Sequence, residues 1–404
     1  MAAHARAGAH EKALNAFSEL RLLGFRPDHT SLSTVLSACA RMEALELGRC
    51  VHGLATKTGS SSNVFVGASL ITMYASCGLC RCLERVLEGV DSPNMALWNA
   101  LISGLVMNHR VEDARGVFDR MPERNIVSWT AMIKGYVMAL GLNSEALEQY
   151  KEMLRSNIRP THSILSSLIG CFSKRSVMVH GQQFHAASIR LGFESHLLIQ
   201  NSLIGIYCKC GEMNISRAIF DRMASRDVVT WNAMVHGYAL NSLGQMAIET
   251  FENMKEAQVD PDDITFLGLL SACNHMSLLE EAKNFFSLMT CYGISPNIMH
   301  YSCIVDLLCR RGMLKQADEL VKSMPFEPDS AIWTSLLSAS RVSGNYKLAE
   351  HAASQLISIN PSSKMPYLHL ISVNGSTNRW NVINDLRNQI KSIATEKEVG
   401  YSWT

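Results

Sequence analysis

Apolar residues recur along this chain in short runs of helical period, and each run is interrupted at one place by a small polar residue. The phrase VVTWNAMVHGY at Val228–Tyr238 has close relatives in ALWNALISGL around Trp98 and IVSWTAMIKGY around Trp129. Asn99, Thr130 and Asn232 fill the polar slot. Aligning the residue ahead of it gives anchors at Leu32, Gly67, Trp98, Trp129, Leu165, Gln200, Trp231, Phe266, Tyr301 and Trp333, spaced 35, 31, 31, 36, 35, 31, 35, 35 and 32 apart. Self-similarity at such a period predicts a stack of repeats.

Each unit predicts two helices. The first carries the apolar run, as in Ala233, Met234, Val235 and Tyr238. A break with Gly or Asn follows, as in CKCGEMN, and a second helix then shows the i, i+3, i+4 pattern of Ala247, Ile248 and Phe251 before Met254. VDPD at Val259–Asp262, RD at Arg226–Asp227 and ISPN at Ile294–Asn297 supply turn and N-cap residues between units. One hairpin cannot cover its own apolar face and must stack on its neighbours. The predicted fold is all-α: an extended α-solenoid of helix-turn-helix repeats with a concave side.

Composition narrows this. A 404-residue chain with 47% apolar and 18% charged residues has ample core and is not of the disordered class. A net charge of +1 argues against a strongly basic, histone-like binder but leaves room for one that reads bases more than phosphates. Twelve Cys spread through the chain predict a reduced compartment with mostly buried thiols. The uncharged stretch Val64–Cys80 reads as a helical repeat, not a membrane span. MAAHARAGAHEKALNAF has the Ala and Arg of an organelle-targeting peptide, but Glu11 and the early Ala13, Leu14, Phe17 pattern favour a start inside a repeat, with a targeting segment missing or never present.

The units resemble pentatricopeptide repeats, specifically the plant class that mixes long, short and standard motifs. SLSTVLSACARMEALELGRCVHGLATKTG and DITFLGLLSACNHMSLLEEAKNFFSLMTCYGISPN are similar to its long motif, and LLIQNSLIGIYCKCGEMNISRAIFDRMASRD to its short one. The resemblance covers nearly all of Gly8–Trp403 and implies a truncated standard motif at 1–28. Tandem repeats then fill 29–329: long 29–63, short 64–94, short 95–125, standard 126–161, long 162–196, short 197–227, standard 228–262, long 263–297 and short 298–329. Residues 330–404 resemble the class's two tetratricopeptide-like extension motifs, E1 and E2, which imply an organelle protein that specifies sites of C-to-U editing in RNA.

A reader of single-stranded RNA needs a short polar group at the base edge and apolar side chains against the base faces. Asn both donates and accepts, whereas a Ser or Thr hydroxyl is more adaptable. In the resembled family the fifth and last residues of a motif together choose the base. Transferred to this chain, Asn201 with Asp227 and Asn232 with Asp262 imply uridine. Asn99 with Asn125 implies cytidine, Ser302 with Asp329 guanosine, and Thr130 with Thr161 a purine, although Thr161 departs from the usual Asp or Asn. Val127, Leu198, Val229 and Met299, second in their motifs, are the implied base-stacking residues, while Ser33, Ser166 and Leu267 make the long motifs poor readers. The implied track is C, purine, any, U, U, any, G. The plainer alternative is that these Asn and Asp residues are helix caps and inter-repeat bonds.

No catalytic constellation, metal site or cofactor motif is read. None of the fourteen His begins an H-x-E element, so a zinc deaminase has no proton shuttle here. Cys77 and Cys80 form a C-x-x-C near Cys82 without a second ligand pair, and Cys208 and Cys210 sit likewise at a helix turn. No P-loop, dinucleotide or G-x-S-x-G element occurs. The family's deaminase domain would follow the extension motifs, which implies a non-enzymatic RNA-binding site-recognition factor. It would recruit a deaminase or accessory partner in trans through 330–404, a region holding Trp333, Trp380 and Trp403, in a mitochondrion or chloroplast. Val399 and Tyr401 stand where the family usually has Pro and Cys. The alternatives are an organelle RNA stabilisation, splicing or translation factor, and a protein–protein scaffold or inactive copy.

Overall fold

A computed structural model describes the chain except Asp91, Leu140, 172–176, 377–379 and 399–404. Among the described residues it is α-helical, with one short turn of tighter helix at Ser60–Ser62 and no strand. The predicted solenoid class holds. Two compact units divide within the helix Leu197–Cys210, one spanning 1–202 and the other 203–404.

In the first unit the leading helices His29–Arg41, Val64–Ser76, Met95–Met107, Ile126–Met138 and His162–Cys171 pack in succession against one another. Each is followed by an antiparallel partner: Leu45–Lys57, Cys80–Glu88, Val111–Arg120, Asn143–Arg155 and Val177–Leu191. The second unit repeats the plan with Val228–Leu240, Asp263–Met276, Ile298–Arg310 and Ser330–Val342. Lys364–Ser376 and Trp380–Glu398 close it. One apolar core runs there from Leu270 to Leu386. No described helix is long and apolar enough to cross a membrane.

The leading helices approach closely because small residues line their contacts. A Cβ at Gly104 would fall 2.9 Å from Ala75 Cβ, and one at Gly135 would fall 2.7 Å from Val106 Cγ2, both inside van der Waals contact. Asn side chains then tie the ends of successive leading helices. Asn108 Nδ2 donates to the carbonyls of Ala75 and Gly104 at 2.9 and 2.8 Å. Asn241 Nδ2 does the same to Cys208 and Gly237 at 2.9 and 2.8 Å. Carbonyls at these helix ends, which backbone turn amides also reach, thereby gain a side-chain donor that links neighbouring repeats.

Among the described residues, the turn inside most hairpins holds one left-handed residue. Gly78, Gly211 and Gly312 supply it with φ of 75°, 83° and 73°, but His109 and Ser242 hold the same place at 58°. A side chain there is disfavoured by roughly 1 kcal/mol. His109→Gly and Ser242→Gly are therefore expected to raise the urea midpoint, and a lower midpoint would refute the strain assigned to these turns.

Candidate nucleic-acid interface

The residues that end each predicted motif are built first as helix caps. Asn125 Oδ1 accepts from the amides of Val127 and Ser128, both at 3.0 Å, and the Asn125 amide donates to Ser128 Oγ at 2.9 Å. Asp262 Oδ1 accepts from the Thr265 amide at 2.8 Å, and the Asp262 amide donates to Thr265 Oγ1 at 3.1 Å. Asp227 caps Val228–Leu240 through the Thr230 amide at 2.9 Å, and Asp329 caps Ser330–Val342 through the Ile332 amide at 3.0 Å. These are reciprocal or single caps on orphan first-turn donors. The capping role read as an alternative is thus real for all four.

Capping does not exhaust two of them. Asn232 Nδ2 donates to Asp262 Oδ1 at 2.9 Å, and Asn99 Nδ2 faces Asn125 Oδ1 at 3.4 Å. The slot residue of one repeat therefore touches the cap of the next, thirty and twenty-six residues away. Both slot residues are largely buried, with 5% of Asn232 and 8% of Asn99 exposed. Asp262 takes these contacts on Oδ1 alone, so its second carboxylate oxygen is not used in the pair.

Thr130 and Thr161 behave differently. The Thr130 hydroxyl donates to the Ile126 carbonyl one turn back at 2.6 Å, and Thr161 Oγ1 accepts from the Ile164 amide at 3.4 Å. Each serves its own helix, so the structure does not join them. The β-branched hydroxyl finds an i−4 carbonyl more readily than a distant cap. Ser302 is half-buried on Ile298–Arg310, and Asn201 is half-buried on Leu197–Cys210.

Beside the slots, Val127, Val229, Leu198 and Met299 each leave about half their surface open. Sequence reasoning passed over two residues in the same register, Ile264 and Phe65, the latter 70% exposed. Their signal was available, since each lies two places after a cap residue, Asp262 and Asn63.

The aromatic ahead of the slot belongs to the core. Trp231 meets Phe220 edge-on with centroids 4.9 Å apart, and Trp129 meets Phe118 at the same 4.9 Å. Arg226 covers the Phe220 ring at 4.5 Å and Arg124 covers Phe118 at 4.9 Å. The same guanidinium groups donate to the Phe220 and Phe118 carbonyls at 2.9 and 3.1 Å, closing the second helix of the preceding repeat. Trp333 is buried edge-on against His351 at 5.3 Å, whereas Trp380 is 61% exposed. Trp403, Val399 and Tyr401 lie outside the described residues.

Burial holds several of the thiols away from chemistry. Burial pushes Cys39 and Cys171 up to about 11 and Cys273 and Cys309 up to about 12, away from the thiolate that nucleophilic or metal-binding work requires. Cys77 is raised too, first by burial and then by Glu43. Among the described residues no three His, Cys, Asp or Glu side chains converge to hold a metal ion.

Comparison with known proteins gives a consistent family. The pentatricopeptide (PPR) repeat family profile matches residues 226–275, and PPR repeat profiles match 96–126, 127–158, 201–228, 264–294 and 292–325. A pentatricopeptide repeat-containing protein of Arabidopsis thaliana is 35% identical over 95% of this chain and 48% of its own length. Another from that plant, named as mitochondrial, is 34% identical over 99% of this chain and 59% of its own length. The chain thus spans about half the length of these relatives. Among solved structures, the maize pentatricopeptide repeat protein PPR10 in complex with an 18-nucleotide psaJ RNA element superposes with a TM-score of 0.77. It is 18% identical, over 97% of this chain and 60% of that one, which is a likeness of fold.

Proposed function

Since the chain carries pentatricopeptide repeats across 96–158 and 201–325, we propose that it is a sequence-specific single-stranded RNA-binding protein. The observation that carries this reading is the recurring composite of a buried Asn, the cap of the next repeat touching it, and a half-exposed apolar residue at the same helix end. A polar edge reader beside an apolar stacking face is what an unstacked base requires. PPR10, which shares this fold, is solved in complex with an RNA element, and that agrees with the reading.

The finer proposal is site recognition for C-to-U editing of an organelle transcript. The resemblance of 330–404 to extension motifs supports it, and the mitochondrial relative supports an organelle address. Catalysis would come from a partner. Met365, Leu368 and Trp380 leave apolar surface open in that region, where a deaminase or accessory protein would dock. No residue of this chain is assigned a catalytic role.

Selection from a random RNA pool by the full 404-residue chain at moderate salt tests the proposal. The expected winners contain an adjacent U-U step with a C three positions before it and a G two positions after it. Enrichment of nothing, or of sequences without the U-U step, would overturn base reading.

A further inference from the structure

Two of the three Asn readers, Asn99 and Asn232, differ in one atom's surroundings. Asn125 Oδ1 is committed to two backbone amides, so it faces Asn99 as an acceptor and holds the Nδ2 end of that amide toward itself. Asn99 Oδ1 therefore points the other way, and among the described residues it finds no donor although it is buried. The hydroxyl of Ser128, third in the following helix, donates to the Asn125 carbonyl at 2.8 Å.

Asp262 likewise holds the Nδ2 end of Asn232. Here the third residue of the following helix is Thr265, and its hydroxyl reaches Asn232 Oδ1 at 2.6 Å. It accepts from the Asp262 amide at the same time, and its single proton has the shorter path to Asn232 Oδ1, at 2.6 Å, than to Asp262 Oδ1, at 2.9 Å. Thr265 is fully buried, which fixes the arrangement. One reader thus has an unfilled acceptor; the other has its acceptor filled and one N–H to spare.

From this we infer that the third residue of the following helix, Ser128 or Thr265, is a further specificity-determining position, acting by setting whether the Asn amide offers a base its acceptor or its donor. The inference rests on the proposed RNA-binding function. A buried acceptor without a partner is costly, and a base that brings an N–H relieves it. Cytidine does so with its exocyclic amino group, and uridine, with a carbonyl at that place, does not. At Asn232 the filled Oδ1 gains little from an added donor, while the spare N–H meets the uridine carbonyl. Asn99 then favours cytidine and Asn232 uridine by hydrogen-bond supply. Thr265 and Ser128 touch no base in this account. They are positioning residues.

The test uses the full chain and short RNAs carrying C-A-A-U-U-A-G, with the first base changed to U or the fifth to C. Ser128→Thr, which places the Thr265 side chain after Asn99, is expected to lower the C-over-U binding ratio at the first base. Thr265→Val, which keeps shape and removes the hydroxyl, is expected to raise the C-over-U ratio at the fifth. Each shift should be roughly three- to tenfold, the worth of one neutral hydrogen bond. A purely structural role would weaken both bases equally and leave both ratios where they were. If Thr265→Val unfolds the repeat, the conservative Ser128→Thr carries the test alone. Asn232→Thr is the control. If it moves the fifth-base preference while both hydroxyl variants leave the ratios unchanged, the inference fails and base reading stands. If wild type and every variant bind C and U alike, both fail.

Discussion

Trp231→Ala is expected to lower the stability of the second unit by about 3–5 kcal/mol, the usual cost of truncating a buried aromatic. Trp231 is 5% exposed and is wedged against Phe220, whose ring carries Arg226. Removing the indole opens a cavity between two repeats beside Phe220, whose ring and carbonyl hold the Arg226 guanidinium that closes the helix Met213–Arg222. In a stacked array the damage should stay local, because each repeat is held by its neighbours. Amide exchange should therefore rise first in Met213–Arg222 and Val228–Leu240, with a lower urea midpoint. Trp231→Phe should cost much less: among the described residues the buried indole Nε1 has no acceptor, so Phe removes an unsatisfied donor while keeping most of the ring. Equal losses in the two variants would show that the indole is held by something other than packing. The same pair of substitutions at Trp129 provides a repeat of the test in the first unit, since Phe118 and Arg124 reproduce the stack.

That stack also shows what the sequence made legible. The apolar period read as paired helices, because that signal is local. Arg226 read only as part of a turn. Its position over Phe220, six residues back, depends on how the chain bends after Met223. The caps were legible one at a time, since Asn or Asp before an apolar run is a helix start wherever it occurs. What the sequence could not show was that one carboxylate oxygen of Asp262 serves the cap and the slot at once. Nor could it show that Thr130 turns to its own helix instead of toward Thr161. Hydroxyl rotamers answer to the nearest acceptor, and spacing alone does not reveal it.

Asp262→Ala is the substitution that separates those two duties. Loss of the N-cap should cost about 0.5–2 kcal/mol. Stripping the partner from the buried Asn232 amide should add about 1–3 kcal/mol, because the donor left behind stays out of water. The combined loss, about 1.5–5 kcal/mol, is read from urea unfolding. RNA binding should fall with it, and the preference for U at the fifth base of the track should disappear. Asp262→Asn then divides the causes. It keeps an oxygen for the Thr265 amide, so the helix start should survive with a loss of a few tenths of a kcal/mol. It also exchanges the carboxylate for a neutral amide, which makes the pair chemically like Asn99 with Asn125. If Asp262 only caps, Asn in its place should leave stability and base preference both near wild type. If its carboxylate charge also selects the base, stability should hold while the fifth-base preference moves from U toward C. A preference that holds at U in Asp262→Asn would leave that choice to Asn232 with Thr265 on its Oδ1.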